Sequence, residues 1–94
     1  MLQRDVTIRN KLGLHARAAA KLVHLANRYQ AAVRLRRDNQ EVNAKSILGI
    51  LLLAAAPGTV VQLVCEGSDE EQAMAALVQL IDDRFDEETA GAPS

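Results

Sequence analysis

Residues Asn10–Lys21 read NKLGLHARAAAK, and this stretch places a histidine between a loop and a helix. Gly13 favours a loop, and the alanine-rich run that follows His15 favours a helix. His15 therefore falls at the start of a helix, beside unpaired backbone N–H groups and the positive end of the helix dipole. Such a position suits an anion. The pattern leaves three roles open for His15: a helix cap, an anion ligand, or a nucleophile that carries the anion covalently.

The residues around this stretch predict the element order β-α-β-β-α-β-α. Apolar and polar residues alternate in four segments, as in half-buried strands, and apolar residues recur at helical spacing in three others. The strands are expected at residues 5–9, 32–37, 40–43 and 59–66, and the helices at about 16–28, at 47–53, and from a capping box at 68–71 to about 85. This order fits an α+β fold, an open-faced two-layer sandwich with three helices on one face of a four-stranded antiparallel sheet. The uncovered face can remain polar.

The first predicted helix is amphipathic. Its inward face is expected to carry apolar residues at helical spacing, namely Ala19, Leu22, Val23 and Ala26. Its outer face is expected to carry the residues Arg17, Lys21, His24 and Arg28. We call these four residues the basic stripe, and it begins beside His15. The arginines of the second strand, Arg34, Arg36 and Arg37, are expected only to solubilise the chain.

The second predicted helix is short and apolar nearly all round. Ser46 is placed to cap its N-terminus, and residues 47–53 read ILGILLL. A short helix on a sheet can bury only one side, so part of Ile47, Leu48 and Leu51 should be exposed. An exposed apolar cluster of this kind marks a binding surface.

Length and composition predict one domain at residues 1–88, followed by a flexible acidic tail at residues 89–94. No run of about 18 apolar residues predicts a membrane span, and no basic segment followed by an apolar run predicts a signal peptide. The single cysteine, Cys65, excludes an internal disulfide framework. We therefore expect a cytoplasmic protein that holds no metal and no cofactor.

Charge is divided unevenly along the chain. Residues 1–45 carry a net charge of +7, and residues 46–94 carry −8. This division predicts a basic surface for an acidic or phosphorylated partner. Nucleic acid is not expected as that partner, because the basic positions lack aromatic neighbours for base stacking and the whole chain has a net charge of −1.

With these elements placed, residues 3–88 resemble the HPr family, the histidine-containing phosphocarriers of the bacterial phosphotransferase system. The resemblance is sharpest in Asn10–Lys21 (NKLGLHARAAAK) and Lys45–Leu53 (KSILGILLL), with support from Pro57–Gly67 (PGTVVQLVCEG). It implies the strand order 1-4-2-3 in the sheet. HPr-like chains usually have proline where this chain has Ala18, and the change should soften the helix start without abolishing function.

The resemblance also implies a chemistry for His15. Phospho-enzyme I would phosphorylate its Nδ1, and a IIA protein would receive the phosphoryl group. The phosphoryl oxygens would meet the backbone N–H groups of Ala16 and Arg17 and the guanidinium of Arg17. The physical chemistry agrees, because a nucleophilic imidazole must be neutral and the positive helix end disfavours a further positive charge. We expect a monomeric carrier rather than a free-standing enzyme.

Ser46 resembles the site that HPr kinase/phosphorylase modifies in some bacteria. A phosphate there would place about two negative charges beside the apolar second helix and repel an acidic partner. We predict that partners dock where the basic stripe of the first helix adjoins that second helix. The predicted docking residues are Leu12, Ala20, Lys21, His24, Arg28, Ile47, Leu48 and Leu51.

Two other functions stay open at this point. The first is a regulatory protein-binding module that acts by contact through the second helix, with His15 incidental. The second is a ligand-binding domain of ferredoxin-like type, although ferredoxin-like repeats lack the asymmetry of this chain. The branch also stays open, since Lys45–Ile47 resembles HPr of bacteria that possess HPr kinase, whereas Arg84–Glu88 resembles NPr, the nitrogen-branch relative.

Overall fold

The computed structural model describes residues 1–86, which form a four-stranded antiparallel sheet with three helices on one face. The elements are β1 (Leu2–Thr7), α1 (Ala16–Ala26), β2 (Ala32–Arg37), β3 (Gln40–Asn43), α2 (Ile47–Leu53), β4 (Val60–Glu66) and α3 (Glu70–Asp82), with a short 3-10 turn at Arg84–Asp86. The predicted fold class and element order are confirmed. The expected tail at residues 89–94 lies outside the described residues.

The strand order is β1-β4-β2-β3, which confirms the order 1-4-2-3. β4 lies in the sheet interior, and its Cys65 faces Leu2 of β1 on one side and Val33 of β2 on the other. β2 and β3 form a hairpin around Asp38, which adopts a positive φ of 54°. Asp is one of the residue types that tolerate this left-handed conformation, so a tight turn can join the two strands here.

The core lies between the sheet and the helices and contains almost no aromatic residues. Alternate strand residues face the helices and are buried, including Val6, Val33, Leu35, Val61 and Leu63. The helices bury residues at helical spacing: Ala18, Ala19, Leu22 and Ala26 from α1, and Ala73, Met74, Leu77 and Ile81 from α3. Each of the large aliphatic side chains contributes about 1.5–3 kcal/mol through burial.

The uncovered face of the sheet carries charged side chains that form ion pairs. The Arg34 side chain contacts Glu41 at 2.8 Å and Glu66 at 3.3 Å, and Arg36 contacts Glu41 at 3.0 Å. Val64 is an exception to the polar pattern, because it lies on this face and is fully buried between cross-strand neighbours. Because Arg34 is paired with Glu41 and Glu66, and Arg36 with Glu41, the described part of this face is polar and the positive charge of these arginines is neutralised.

The start of α3 differs from the predicted capping box at residues 68–71. Asp69 is the N-cap residue, and its side chain does not cap the helix. Its carboxylate instead accepts hydrogen bonds from the backbone N–H groups of Gln30 (2.9 Å) and Ala31 (2.8 Å). The carboxylate of Glu70 accepts from the N–H of Gly67 at 3.0 Å. The prediction was wrong because a carboxylate can satisfy donors of a distant segment as readily as those of its own helix.

The bounds of several helices and strands also differ from the predicted ones. β1 begins at Leu2 instead of Asp5, and α1 ends at Ala26 instead of residue 28. α3 ends at Asp82, and residues 84–86 each have a φ of 57°. This left-handed turn carries Phe85 into the core, where its side chain is fully buried. Burial of the one phenylalanine therefore overrides continuation of the helix.

Candidate functional site

His15 is the N-cap residue of α1. Its backbone is extended, with φ −77° and ψ 177°, and its ring is half-buried. The Nδ1 atom accepts a hydrogen bond from the backbone N–H of Arg17 at 3.2 Å. Because an N–H donates to it, Nδ1 carries a lone pair, and the neutral ring has its proton on Nε2. The atom with nucleophilic character therefore faces the first turn of the helix.

The first turn of α1 offers donors and positive potential at this atom. The first intrahelical bond of the helix is the one from the Ala19 N–H to the His15 carbonyl, at 2.8 Å. The N–H groups of Ala16 and Arg17 precede it, and the side chain of Arg17 is exposed. The first turn carries no acidic residue. An anion at Nδ1 would thus meet backbone donors, the helix dipole and a guanidinium together.

The loop before His15 is held closely against the segment that follows α2. The Leu14 N–H donates to the Ala55 carbonyl at 2.9 Å, and the Leu14 side chain is buried. Gly13 has a φ of 68°, and a Cβ at this position would lie 2.6 Å from the Ala55 carbonyl oxygen. Glycine is therefore required here both by the backbone conformation and by the close approach. The loop presents His15 from a rigid base.

Ser46 caps the N-terminus of α2, as predicted. Its Oγ accepts a hydrogen bond from the Gly49 N–H at 3.2 Å. The two helices α1 and α2 run in opposite directions. The bond between Leu14 and Ala55 joins the start of α1 to the end of α2, and the Asn27 Nδ2 donates to the Lys45 carbonyl at the other end, at 3.3 Å. His15 and Ser46 therefore lie at opposite ends of the pair, and the eleven residues of α1 span about 16 Å.

An exposed apolar patch accompanies these two helices. Its residues are Leu12, Ile47, Leu48, Leu51 and Leu52, of which Leu12, Leu48 and Leu52 are more than 60% exposed. The expectation that part of the second helix is exposed is confirmed. Leu52 was not among the predicted residues, because the apolar run of α2 gave no periodicity by which to orient it. Exposure of this extent is typical of a surface that a partner covers.

The basic stripe is only partly as predicted. Arg17, His24 and Arg28 are exposed, as is the neighbouring Ala20. Lys21 differs, because it is half-buried and its Nζ donates to the Phe85 carbonyl at 2.6 Å. Its charge is therefore used to fix the turn after α3 and is less available to a partner than expected.

Two further residues have roles that sequence reasoning missed. Arg37 does more than solubilise the chain, since its Nη1 donates to the carbonyl groups of Leu53 (3.0 Å) and Ala54 (3.3 Å) and so closes the end of α2. Asn10 is fully buried, and its Nδ2 donates to the Gly13 carbonyl at 2.6 Å. The signal that the sequence offered was an asparagine directly after the predicted first strand, in the loop that leads to His15.

Cys65 is buried in the sheet, as expected for a core residue. Burial raises the pKa of its thiol, and the nearby carboxylates of Glu70 and Asp69 act in the same direction.

Within residues 1–86, no group of three or more His, Cys, Asp or Glu side chains is arranged to hold a metal ion. In the same part of the chain, no helix has the length and apolar character needed to cross a membrane.

Known proteins are similar to this chain in sequence and in fold. The PTS-HPr family model, described as the PTS HPr component phosphorylation site, matches residues 2–83. The phosphocarrier protein HPr of Xylella fastidiosa (strain Temecula1) is 51% identical over 89 residues, which cover 95% of this chain and 100% of that protein.

Two solved structures from Thermoanaerobacter tengcongensis are also similar. The crystal structure of HPr-C-His is 48% identical with a TM-score of 0.90, covering 94% of this chain and 99% of that one. The crystal structure of an HPr dimer is 47% identical with a TM-score of 0.75, covering 93% and 100%. The match over most of the chain, in sequence and in structure, shows that this chain belongs to the HPr family of the phosphotransferase system.

Proposed function

We propose that this chain is a phosphocarrier of the phosphotransferase system, which accepts a phosphoryl group on Nδ1 of His15 from phospho-enzyme I and passes it to IIA proteins. One observation carries the proposal: Nδ1 of the N-cap histidine faces the backbone N–H of Arg17 in the first turn of α1. A lone pair at this position is both nucleophilic and next to the donors that an incoming phosphoryl group requires.

The transfer step needs positioning and charge stabilisation from the chain. The Nδ1 lone pair forms a bond to phosphorus while the bond between phosphorus and the donor's nitrogen breaks, and the Nε2 proton stays on the ring. The N–H of Arg17 then turns from Nδ1 to a phosphoryl oxygen, with the N–H of Ala16 beside it. The exposed guanidinium of Arg17 supplies a charge-assisted contact that can be bidentate. Electrostatic positioning of this kind accounts for most of the catalysis in phosphoryl transfer.

The same site suits a carrier that must release its load. His15 is only half-buried and Arg17 is exposed, so a second protein can approach the phosphoryl group directly. In this proposal enzyme I and the IIA proteins dock on the apolar patch and on the exposed members of the basic stripe. The apolar contacts set affinity, and the positive charges speed the encounter with acidic partners. This exchange is proposed to take place in the cytoplasm.

Ser46 has a regulatory role in this proposal, as the residue modified by HPr kinase/phosphorylase. Its Oγ caps α2 and lies at the far end of the helix pair from His15. A phosphate there would not contact His15, but it would bring negative charge to Ile47 and Leu48 of the apolar patch. Regulation would therefore act on docking instead of on the chemistry of His15.

The test is phosphorylation by phosphoenolpyruvate and enzyme I. The wild type is expected to gain one acid-labile phosphate, and His15→Ala is expected to gain none. His24→Ala is the matched control, because His24 is the second histidine of the chain and is exposed on the same helix. A wild-type chain that takes up no phosphate would overturn the proposal and leave a module that acts by contact.

A further inference from the structure

We propose that Asn10 is a positioning residue for His15, which acts through the carbonyl group of Gly13 to fix the backbone from which His15 enters α1. The inference rests on the proposed function and adds to it the group that holds the acceptor histidine. Asn10 is the one polar or charged residue that is fully buried within residues 1–86. A buried amide is costly unless it makes hydrogen bonds, so its partners indicate what it is there to hold.

Two of these hydrogen bonds join Asn10 to the backbone of Gly13. The Asn10 Nδ2 donates to the Gly13 carbonyl at 2.6 Å, and the Gly13 N–H donates to the Asn10 carbonyl at 3.2 Å. The same Gly13 carbonyl accepts the His15 N–H at 2.9 Å. A carbonyl oxygen has two lone pairs and can accept both bonds. Asn10 and His15 are therefore joined through one oxygen atom.

This oxygen closes a three-residue turn. The bond from the His15 N–H to the Gly13 carbonyl connects residues two apart, a tight turn that fixes the direction in which the chain leaves it. Leu14, at its centre, is anchored by its buried side chain and by the Ala55 carbonyl. The peptide group between Gly13 and Leu14 is thus held at both ends, at its N–H by the Ala55 carbonyl and at its C=O by the Asn10 side chain.

Rotation of that peptide would move the reacting atom. The His15 backbone is extended at φ −77° and ψ 177°, and this conformation brings Nδ1 to 3.2 Å from the Arg17 nitrogen. A change in the direction of the His15 N–H would alter the angle at which the ring meets the first turn. Displacement of a reacting group by about 1 Å can cost about a hundredfold in rate. Asn10 thus maintains the alignment between the nucleophile and the donors that receive the phosphoryl oxygens.

The decisive variant is Asn10→Leu, which keeps the branched shape and removes the donor. We expect the ring ¹⁵N signals of His15 and the amide signal of Arg17 to shift in NMR spectra, while the ring signals of His24 stay in place. We also expect phosphorylation by phospho-enzyme I to slow by about ten- to a hundredfold. The loss should be mainly in kcat, because the four patch residues on α2 are remote from the change.

Asn27→Ala is the matched control. It removes another asparagine side chain that donates to a backbone carbonyl, Val23 at 2.9 Å, at the opposite end of α1. Any loss of stability it causes should leave the His15 signals and the phosphorylation rate as in the wild type. If Asn10→Leu also keeps the wild-type His15 signals and rate, then Asn10 only fills space and the inference is overturned.

Two further measurements cover the other outcomes. If Asn10→Leu does not fold, the smaller Asn10→Ala carries the same readouts and the same expectations. In the wild type, the side-chain amide protons of Asn10 should exchange slowly with solvent, and rapid exchange would contradict the inference. A wild type that is not phosphorylated, but whose His15 ring still responds to Asn10→Leu, would reject the proposed function and leave the positioning role intact.

Discussion

Asp69 shows how one side chain can connect distant parts of this chain. Its two carboxylate oxygens accept the N–H groups of Gln30 and Ala31, where the chain passes from α1 into β2. These hydrogen bonds, first that of Gln30, hold the pKa of Asp69 below its ordinary value, and the charge of Lys45 adds to the effect. The ionised carboxylate is therefore favoured in the folded state more than in the unfolded state.

We expect the folded state to lose part of its stability in acid through Asp69. A carboxyl group with a lowered folded pKa contributes stability above its unfolded pKa, near 3.8, and this is lost as the pH falls through the folded value. Asp69→Asn should therefore be less stable than the wild type at pH 7, and the difference should shrink below about pH 4. Urea unfolding of both proteins at pH 7 and pH 3 measures it.

The control for this prediction is Asp5→Asn, an exposed carboxylate on β1. Its effect on stability should be small at both pH values. Some acid sensitivity will remain in Asp69→Asn, because the N–H of Gly67 and the terminal amine lower the pKa of Glu70 as well. A difference between wild type and Asp69→Asn that is the same at both pH values would contradict the role given to the Asp69 charge.

For single residues, the role of a side chain was predictable from the sequence where its hydrogen-bond partner is close in the chain. Ser46 was predicted as a cap because its donor, the Gly49 N–H, is three residues away. Asp69 and Lys21 were misjudged because their partners, Ala31 and Phe85, are 38 and 64 residues away. A hydrogen bond over such a separation depends on the completed fold, and no local pattern indicates it.

At the element scale, α2 combines two properties in seven residues. Its N-terminus is capped by Ser46, and its outer side supplies most of the apolar patch. Both properties were predictable from the sequence, since the cap follows from residue type and the exposure follows from the geometry of a short helix on a sheet. Ile47, Leu48 and Leu51 are exposed as predicted, whereas Leu52 was missed because a fully apolar helix has no polar side to mark the solvent.

Substitutions at Ser46 should separate the two properties. Ser46→Ala removes the bond to the Gly49 N–H and is expected to lower the free energy of unfolding by about 1 kcal/mol, with little change in the rate of His15 phosphorylation. Ser46→Asp keeps a capping oxygen and should preserve stability. Its negative charge beside Ile47 and Leu48 should slow phosphorylation by enzyme I.

Chemical denaturation and a phosphoenolpyruvate-driven phosphorylation assay on the two Ser46 variants are the measurements. We expect Ser46→Ala to change stability alone and Ser46→Asp to change the phosphorylation rate alone. Equal rates for wild type and Ser46→Asp would reject the idea that charge at this end of α2 controls docking.

At the scale of the whole molecule, the uneven charge of the sequence becomes an uneven surface. Arg34 and Arg36 are neutralised by Glu41 and Glu66 on the uncovered face of the sheet. Arg17 on α1 and Arg28, two residues after its end, stay exposed. The net charge of the first half of the chain therefore overstates its positive surface, and Arg17 and Arg28 supply exposed positive charge at the two ends of α1.

Charge reversal at Arg28 tests whether this face guides partners. Arg28→Glu should slow phosphorylation by phospho-enzyme I and reduce the dependence of that rate on salt, since screening has less attraction to remove. Arg4→Glu on β1, the edge strand, makes the same charge change outside the docking surface and should have a smaller effect. Rates measured between low and high ionic strength compare the two, and equal effects would contradict guidance by α1.

Lys21 is a poorer choice for that test than the sequence predicted. Reversing its charge would also break the bond to the Phe85 carbonyl and disturb the turn at residues 84–86. The fold class and the strand order were nonetheless predictable from the whole chain. They follow from alternation, helical spacing and resemblance, each of which draws on many residues at once.

The place of β4 within the sheet has a consequence for how the chain matures during translation. β1 leaves the ribosome first, yet its partner in the described sheet is β4, and Leu2 must wait for Cys65. Until then the β2–β3 hairpin is the only strand pair of the sheet that can close, and an isolated hairpin is marginally stable in water. Pairing over such a separation is also slow. A nascent chain that stops short of residue 60 therefore has two helices and their apolar faces but no sheet to receive them, so release of the last third of the chain commits the protein to its fold.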